Sequence, residues 1–234
     1  MIAAVLNSPF NFAAPPSPPP PGGDPYFASV VLLLHNDSSS FADSSGTPAT
    51  VTTNLTTFDS SVKKFGAGSA SHRANNNYLT ITDDGRFGVT TEDWTVEMWV
   101  APDSTSGFTT ARRFFDSQFL RLIASGTDDV SMQVSFNNFA NTTVVATSAI
   151  NMTFGEFYYV AATRAGSTFS LYINGSLIGS ITNATAHNGA TRNVLIGGIL
   201  GNNNYSRSWI DDVRVTVGVA RDVTSVPTEA FPDS

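Results

Sequence analysis

The sequence predicts an all-β domain of two packed antiparallel sheets behind a proline-rich N-terminal arm, and three observations carry that expectation. From Tyr26 onward, short runs of Val, Ile, Thr and aromatic residues alternate with clusters of Gly, Asn, Asp and Ser, the pattern of strands and their turns. No long amphipathic helical stretch competes with them. Eight of the 12 prolines fall within residues 1–25, which sets that segment apart from the rest of the 234-residue chain.

The arm, residues 1–25, has two parts. Pro15 to Pro21 reads as polyproline II, a semi-rigid spacer of about 3 Å per residue without internal hydrogen bonds. Ahead of it, Val5, Leu6, Phe10 and Phe12 form an apolar peptide with nothing of its own to pack on. Burial in a partner is worth roughly 1.5–3 kcal/mol per such side chain before ordering costs, so these four are candidate anchoring residues.

Residues 26–234 suit one sandwich domain, since sandwiches of this length commonly form a single unit. The strands expected in order are Val30 to His35, Ala67 to His72, Tyr78 to Thr82, Trp94 to Ala101, Arg113 to Asp116, Phe119 to Ser125 and Val130 to Phe136. Thr142 to Thr147, Tyr158 to Arg164, Phe169 to Ile173, Leu177 to Ile181, Val194 to Gly197 and Trp209 to Val215 complete the series. The clearest local signal is Asn174-Gly175 between alternating strands, a pair suited to the two positive φ angles of a type I′ hairpin turn.

Composition narrows the function classes. Hydrophobic residues make up 41% of the chain, with 17 Phe, enough to build a core without staples. The absence of cysteine removes disulfides, thiolate metal sites and cysteine nucleophiles. A net charge of -7 and a pI near 4.7 argue against nucleic acid as a partner. No apolar run approaches the ~20 residues of a membrane helix, and Met1 to Leu6 lacks the basic start of a signal peptide, so no membrane insertion is expected.

An ordered series of segments resembles a known family. Val31-Leu32-Leu33-Leu34-His35, Asp43-Ser44-Ser45-Gly46, Lys64-Phe65-Gly66-Ala67-Gly68-Ser69 and Tyr78-Leu79-Thr80-Ile81 open it. Asp93-Trp94-Thr95-Val96-Glu97-Met98-Trp99-Val100 and Tyr159-Val160-Ala161-Ala162-Thr163-Arg164 follow. Leu171-Tyr172-Ile173-Asn174-Gly175, Trp209-Ile210-Asp211-Asp212-Val213-Arg214-Val215-Thr216 and Gly218-Val219-Ala220-Arg221 close it. The series is similar to the laminin-G-like domains of the concanavalin A-like lectin and glucanase superfamily, in the short form found in bacteriophage structural proteins. The resemblance implies a two-sheet antiparallel jelly-roll sandwich. It further implies a non-enzymatic virion surface protein, a capsid decoration, fibre or tail adhesin. Such a protein would hold other virion proteins through its arm, sit as a homo-oligomer or in many copies on a particle, and meet host surface glycan. Two segments depart from the family pattern: His72 to Asn77 replaces an aromatic and Gly-rich stretch, and Phe157 stands where Trp is usual. A stand-alone carbohydrate-binding lectin and a divergent glycoside hydrolase are the alternatives.

Candidate sites follow from residue chemistry. Retaining glucanases of this superfamily use Glu-x-Asp-x-x-Glu, with two carboxylates about 5 Å apart. Here Glu92 and Asp93 are adjacent and point to opposite faces of a strand, so the dyad fails and Glu97 is expected to accept hydrogen bonds from a neighbouring strand. His35, His72 and His187 sit at a strand end and in polar loops without a nucleophile elbow, so no catalytic residue is expected. A structural calcium ion would use Asp37 and Asp43 after the first strand with Asp211 or Asp212 on the last, since hard cations take carboxylate oxygens. Glycan binding would use aromatic and Asn-rich loops: Asn75, Asn77 and Tyr78 in one, Asn203 and Tyr205 in the other.

Overall fold

The computed structural model describes residues 23–103, 112–125, 129–135, 142–149, 152–199 and 205–234. Val5, Leu6, Phe10, Phe12 and the run from Pro15 to Pro21 lie outside them, as does Asn203. The strands are β1 (Val30–Leu34), β2 (Val51–Asn54), β3 (Thr57–Asp59), β4 (Ser69–His72), β5 (Tyr78–Ile81), β6 (Trp94–Pro102), β7 (Arg112–Asp116) and β8 (Leu120–Ser125). They continue as β9 (Asp129–Ser135), β10 (Thr142–Ala149), β11 (Tyr158–Ala165), β12 (Thr168–Ile173), β13 (Ser176–Thr182), β14 (Val194–Ile196) and β15 (Ser208–Val217). All thirteen expected strands are present. β2 and β3 are additional: short, polar strands at the edge of each sheet.

Among the described residues the strands form two antiparallel sheets. The eight-stranded sheet runs β13-β12-β11-β6-β15-β4-β3, with β1 also paired to β15. The seven-stranded sheet runs β10-β9-β8-β7-β14-β5-β2. Alternation sends Val96, Met98 and Val100 of β6 inward, with Val160 and Ala162 of β11 and Phe169, Leu171 and Ile173 of β12. They meet Leu79 and Ile81 of β5, Phe115 of β7, Leu122 of β8, Met132 of β9 and Ile196 of β14 in a single core. The Asn174-Gly175 turn has φ of 48° and 76°, joining Ile173 to Ser176 as a two-residue hairpin loop. A Cβ at Gly175 would collide with the Thr224 carbonyl oxygen, so the turn also packs the C-terminal segment.

The outer face of the eight-stranded sheet is covered over β1, β6 and β11 by the two ends of the domain. Val30, Leu33, Trp99, Tyr159 and Ala161 pack there with Val223 and Phe231 in a second apolar cluster. Asp24, counted with the arm from sequence alone, belongs to this layer. It is buried, its amide donates to the Ser234 carbonyl at 2.6 Å, and its carboxylate pairs with Arg214 and Arg221 at 3.0 and 2.8 Å. Burial works against that carboxylate's charge, but the hydrogen bond from Arg221 and the neighbouring guanidiniums hold its pKa below the usual value. Arg214 also donates to Glu97 at 2.9 and 3.2 Å, and the Tyr159 hydroxyl donates to the same carboxylate. Glu97 therefore accepts from neighbouring strands, as expected. Removing one partner of such a buried pair generally costs about 3–5 kcal/mol, because it strands a charge away from water.

Candidate functional site

The polar feature that sequence reasoning missed lies on the outer face of the seven-stranded sheet. Register aligns Thr52, Thr80, Leu195, Asp116, Arg121 and Gln133 in one row across β2, β5, β14, β7, β8 and β9. Directly opposed residues share a face, and the inward positions next to them are Leu79, Ile196, Phe115, Leu122 and Met132.

A bulge adds the second charge on β7. Arg113 and Asp116 are three residues apart, a spacing that would place them on opposite faces of a regular strand. The register shifts between Arg113 and Phe115, so Phe114 and Phe115 both enter the core and Arg113 turns to the side of Asp116. There the fully buried Asp116 carboxylate pairs with Arg113, with Arg121 at 3.2 Å and with Arg192 at 2.9 Å. Three guanidiniums face one carboxylate. Burial, and then the repulsion of Arg121 and Arg192, lowers Arg113 to about 10; burial and Arg192 do the same to Arg121.

Beside this cluster opens a cavity of about 230 Å³ lined by Thr80, Arg192, Asn193 and Leu195. Asp83 fixes its rim: its carboxylate accepts the Arg192 amide at 2.9 Å, and its own amide donates to Asn193 Oδ1 at 3.2 Å. The lining joins a guanidinium, a side-chain amide and a hydroxyl over one apolar residue, a set that hydrogen-bonds a small polyol or an anion. Its volume is below the ~300–1,000 Å³ of drug-sized sites, so it admits one small unit at a time.

The residues expected from sequence fall elsewhere or take other roles. Tyr78 lies on this outer face with Thr80, two residues along β5, but is 9% exposed. Asn75 is exposed in the preceding turn, whereas Asn77 is buried with its amide 3.5 Å from the Ser71 carbonyl. Tyr205 is buried, and its ring is taken by the guanidiniums of Arg112 and Arg207 at 4.9 and 5.3 Å. These residues do not form one sugar-stacking platform.

The four candidate calcium ligands serve as backbone acceptors. Asp43 accepts the amides of Leu33, Ser45 and Ala49. Asp37 accepts those of Ala67 and Gly68, and Asp211 those of Lys64 and Phe65. Asp212, at φ 47°, accepts the Phe231 amide and pairs with His35 at 2.6 Å. Asp37, Asp211 and Asp212 sit where β15 exchanges β4 for β1 as its partner, a break that they staple. Amide hydrogens point at one or both oxygens of each of these carboxylates, whereas Asp211 Oδ1 is buried without a hydrogen-bond partner; the described residues hold no group of three His, Cys, Asp or Glu that could bind a metal. A calcium cage of six to eight oxygens would have to draw these carboxylates away from the amides they now accept.

Catalytic groups are likewise committed. Glu92 accepts the Thr90 amide at 2.5 Å and Asp93 the Gly166 amide at 2.6 Å, while Arg214 holds Glu97. Burial pushes His72 and His187 down to about 4, and His187 packs edge-on against Phe119 and Phe169 rather than lying free in a loop.

The comparisons with known proteins agree with the architecture. A laminin-G family model, described as Concanavalin A-like lectin/glucanases superfamily, matches residues 73–220. Domain 4 of AbnA, a GH43 extracellular arabinanase from Geobacillus stearothermophilus solved with arabinotriose, is similar in structure. The TM-score is 0.65 at 19% identity over 84% of this chain and 97% of that one. The binding domain of Paraclostridial Mosquitocidal Protein 1 gives a TM-score of 0.66 at 14% identity, over 85% of this chain and 51% of that one. The botulinum neurotoxin serotype D ligand binding domain, solved with N-acetylneuraminic acid, gives 0.63 at 13%, over 85% and 49%. The chain thus spans about half the length of these two toxin domains. Among curated protein sequences none matches.

The stapling carboxylates make a pH prediction. Burial raises Asp211 to about 7, against an ordinary 3.8. The folded state therefore holds this proton more tightly, and the stability it lends is complete below about 3.8 and lost as pH rises through about 7. Thermal melts of the wild type and Asp211→Asn between pH 4 and 8, roughly the window of that shift, should diverge in slope, the variant losing the decline. Parallel curves would remove Asp211 as its source.

Proposed function

This chain belongs to the concanavalin A-like lectin/glucanase superfamily, and from that premise we propose that it is a non-catalytic carbohydrate-binding module whose ligand sits on the outer face of the seven-stranded sheet. The observation that carries this reading is the cavity in which Thr80, Arg192 and Asn193 surround Leu195. Hydroxyl, amide and guanidinium groups match the alternating donors and acceptors of a sugar ring, and the leucine meets its apolar edge. The arabinanase domain and the toxin domain solved with sugars support the class. The engaged state of Glu92, Asp93 and Glu97 supports the non-catalytic part. A glycan array with the full chain should give a binder, and the double variant Thr80→Ala, Asn193→Ala should weaken it by at least about fivefold through two lost hydrogen bonds. Unchanged binding by a variant that keeps its melting temperature would move the ligand off this face.

The module's setting rests on the arm. We place it on a virion surface as a decoration, fibre or tail adhesin, held by Val5, Leu6, Phe10 and Phe12 and spaced from the particle by the polyproline run. A chain lacking residues 1–22 should keep the fold, and in co-sedimentation with particles lacking the native copy it should stay in the supernatant while the full chain pellets. Equal incorporation of both would assign docking to the sandwich.

A further inference from the structure

The chain contains two Asn-Gly pairs, Asn174-Gly175 and Asn188-Gly189, and the fold holds them differently. An asparagine before glycine carries a latent reaction, because the glycine has no Cβ to shield its amide nitrogen from the side-chain carbonyl carbon. That nitrogen attacks Cγ, so a new N–Cγ bond forms and the Cγ–Nδ2 bond breaks. Nδ2 leaves as ammonia with the proton that the glycine nitrogen gives up. Water then opens the five-membered imide at either carbonyl, leaving aspartate or isoaspartate. Water is the only co-reactant, so what limits ring closure is whether the backbone can turn to bring nitrogen and Cγ together.

Both asparagines are exposed, so access to water does not separate them. Each also has its Oδ1 polarised by a main-chain amide, that of Tyr159 at 2.8 Å for Asn174 and that of Ala190 at 3.2 Å for Asn188. They differ in freedom to turn. Asn174 opens the two-residue hairpin loop at φ 48°, and its own amide donates to the Tyr159 carbonyl at 2.8 Å, so main chain and side chain are both tied to β11. Gly175 packs on the Thr224 carbonyl oxygen. Closing the imide there swings the Asn174-Gly175 peptide out of its turn and breaks these contacts. Asn188 lies instead in the strand-free stretch between β13 and β14. The amides of Asn188 and Gly189 make no backbone hydrogen bond among the described residues, and the Ala190 amide belongs to the same loop and moves with it. The flanking ties, His187 amide to Thr90 carbonyl at 2.8 Å and Arg192 amide to Asp83 at 2.9 Å, leave the residues between them room to rotate. We propose that Asn188 is a site of spontaneous covalent modification, converting to aspartate and isoaspartate in the folded protein while the fold protects Asn174. The product adds a carboxylate, and in the isoaspartate form a main-chain methylene, in the loop that leads into Arg192 and Asn193 of the cavity wall.

Peptide mapping by mass spectrometry, with isoaspartyl methyltransferase labelling to separate the two products, tests this on the full chain. One sample is kept folded in mildly alkaline buffer and another is held in denaturing urea at the same pH. In the folded chain residue 188 should convert at least about tenfold faster than residue 174. In urea the two pairs should convert at similar rates, since the hairpin no longer restrains Asn174. Asn188→Gln, a change at an exposed position, should remove the folded-state signal. Equal rates at the two asparagines in the folded chain would overturn the proposal, as would an Asn188 that stays intact while folded and converts only in urea. The same preference for residue 188 in urea would trace the selectivity to neighbouring residues in the sequence and overturn the role given to the fold.

Discussion

The buried charge network of Glu97, Arg214, Asp24 and Arg221 is the constraint on which the rest of the arrangement depends. Charges withdrawn from water are tolerable only when mutually paired and hydrogen-bonded, so the eight-stranded sheet needs a lid over its outer face. The two ends of the domain supply it, through Asp24 from the front and Val223 and Phe231 from the back. With β1, β6 and β11 of one sheet covered on their outer face, the polar outer face of the other sheet is where donors and a cavity coincide.

Two register breaks shape what each sheet can do. On β15 the shift between Asp211 and Arg214, with Asp212 at positive φ, allows one strand to pair with β4 over one half and β1 over the other. The acidic pair at the break anchors the loops that enter and leave there. On β7 the bulge sends two phenylalanines inward and turns Arg113 to the side of Asp116. One break stabilises the sandwich, and the other gathers its positive charge.

The strands, the hairpin and the structural role of Glu97 were legible in the sequence because each is local: alternation, an Asn-Gly pair, a carboxylate facing neighbouring strands. β2 and β3 were not, since Val51–Asn54 and Thr57–Asp59 are short polar edge strands whose composition is that of a loop. The arginine cluster was hidden for a different reason. Arg113, Arg121 and Arg192 come from β7, β8 and the loop before β14, and only sheet register brings them to Asp116. The adjacent Phe114-Phe115 was the available signal, because two successive core residues break alternation and announce a bulge. The aromatic loops drew attention instead, yet Tyr78 and Tyr205 are buried, the latter by guanidiniums on its ring.

On the proposed reading, the ligand sits on the sheet face that carries the polar cavity. Amide hydrogen exchange of the full chain, with and without a glycan captured on an array, tests this most directly. The account predicts slowed exchange in β5, β7 and β14 and in the segment of Arg192 and Asn193. Protection confined to residues 62–68 and the start of β15, at the acidic end of the eight-stranded sheet, would contradict it.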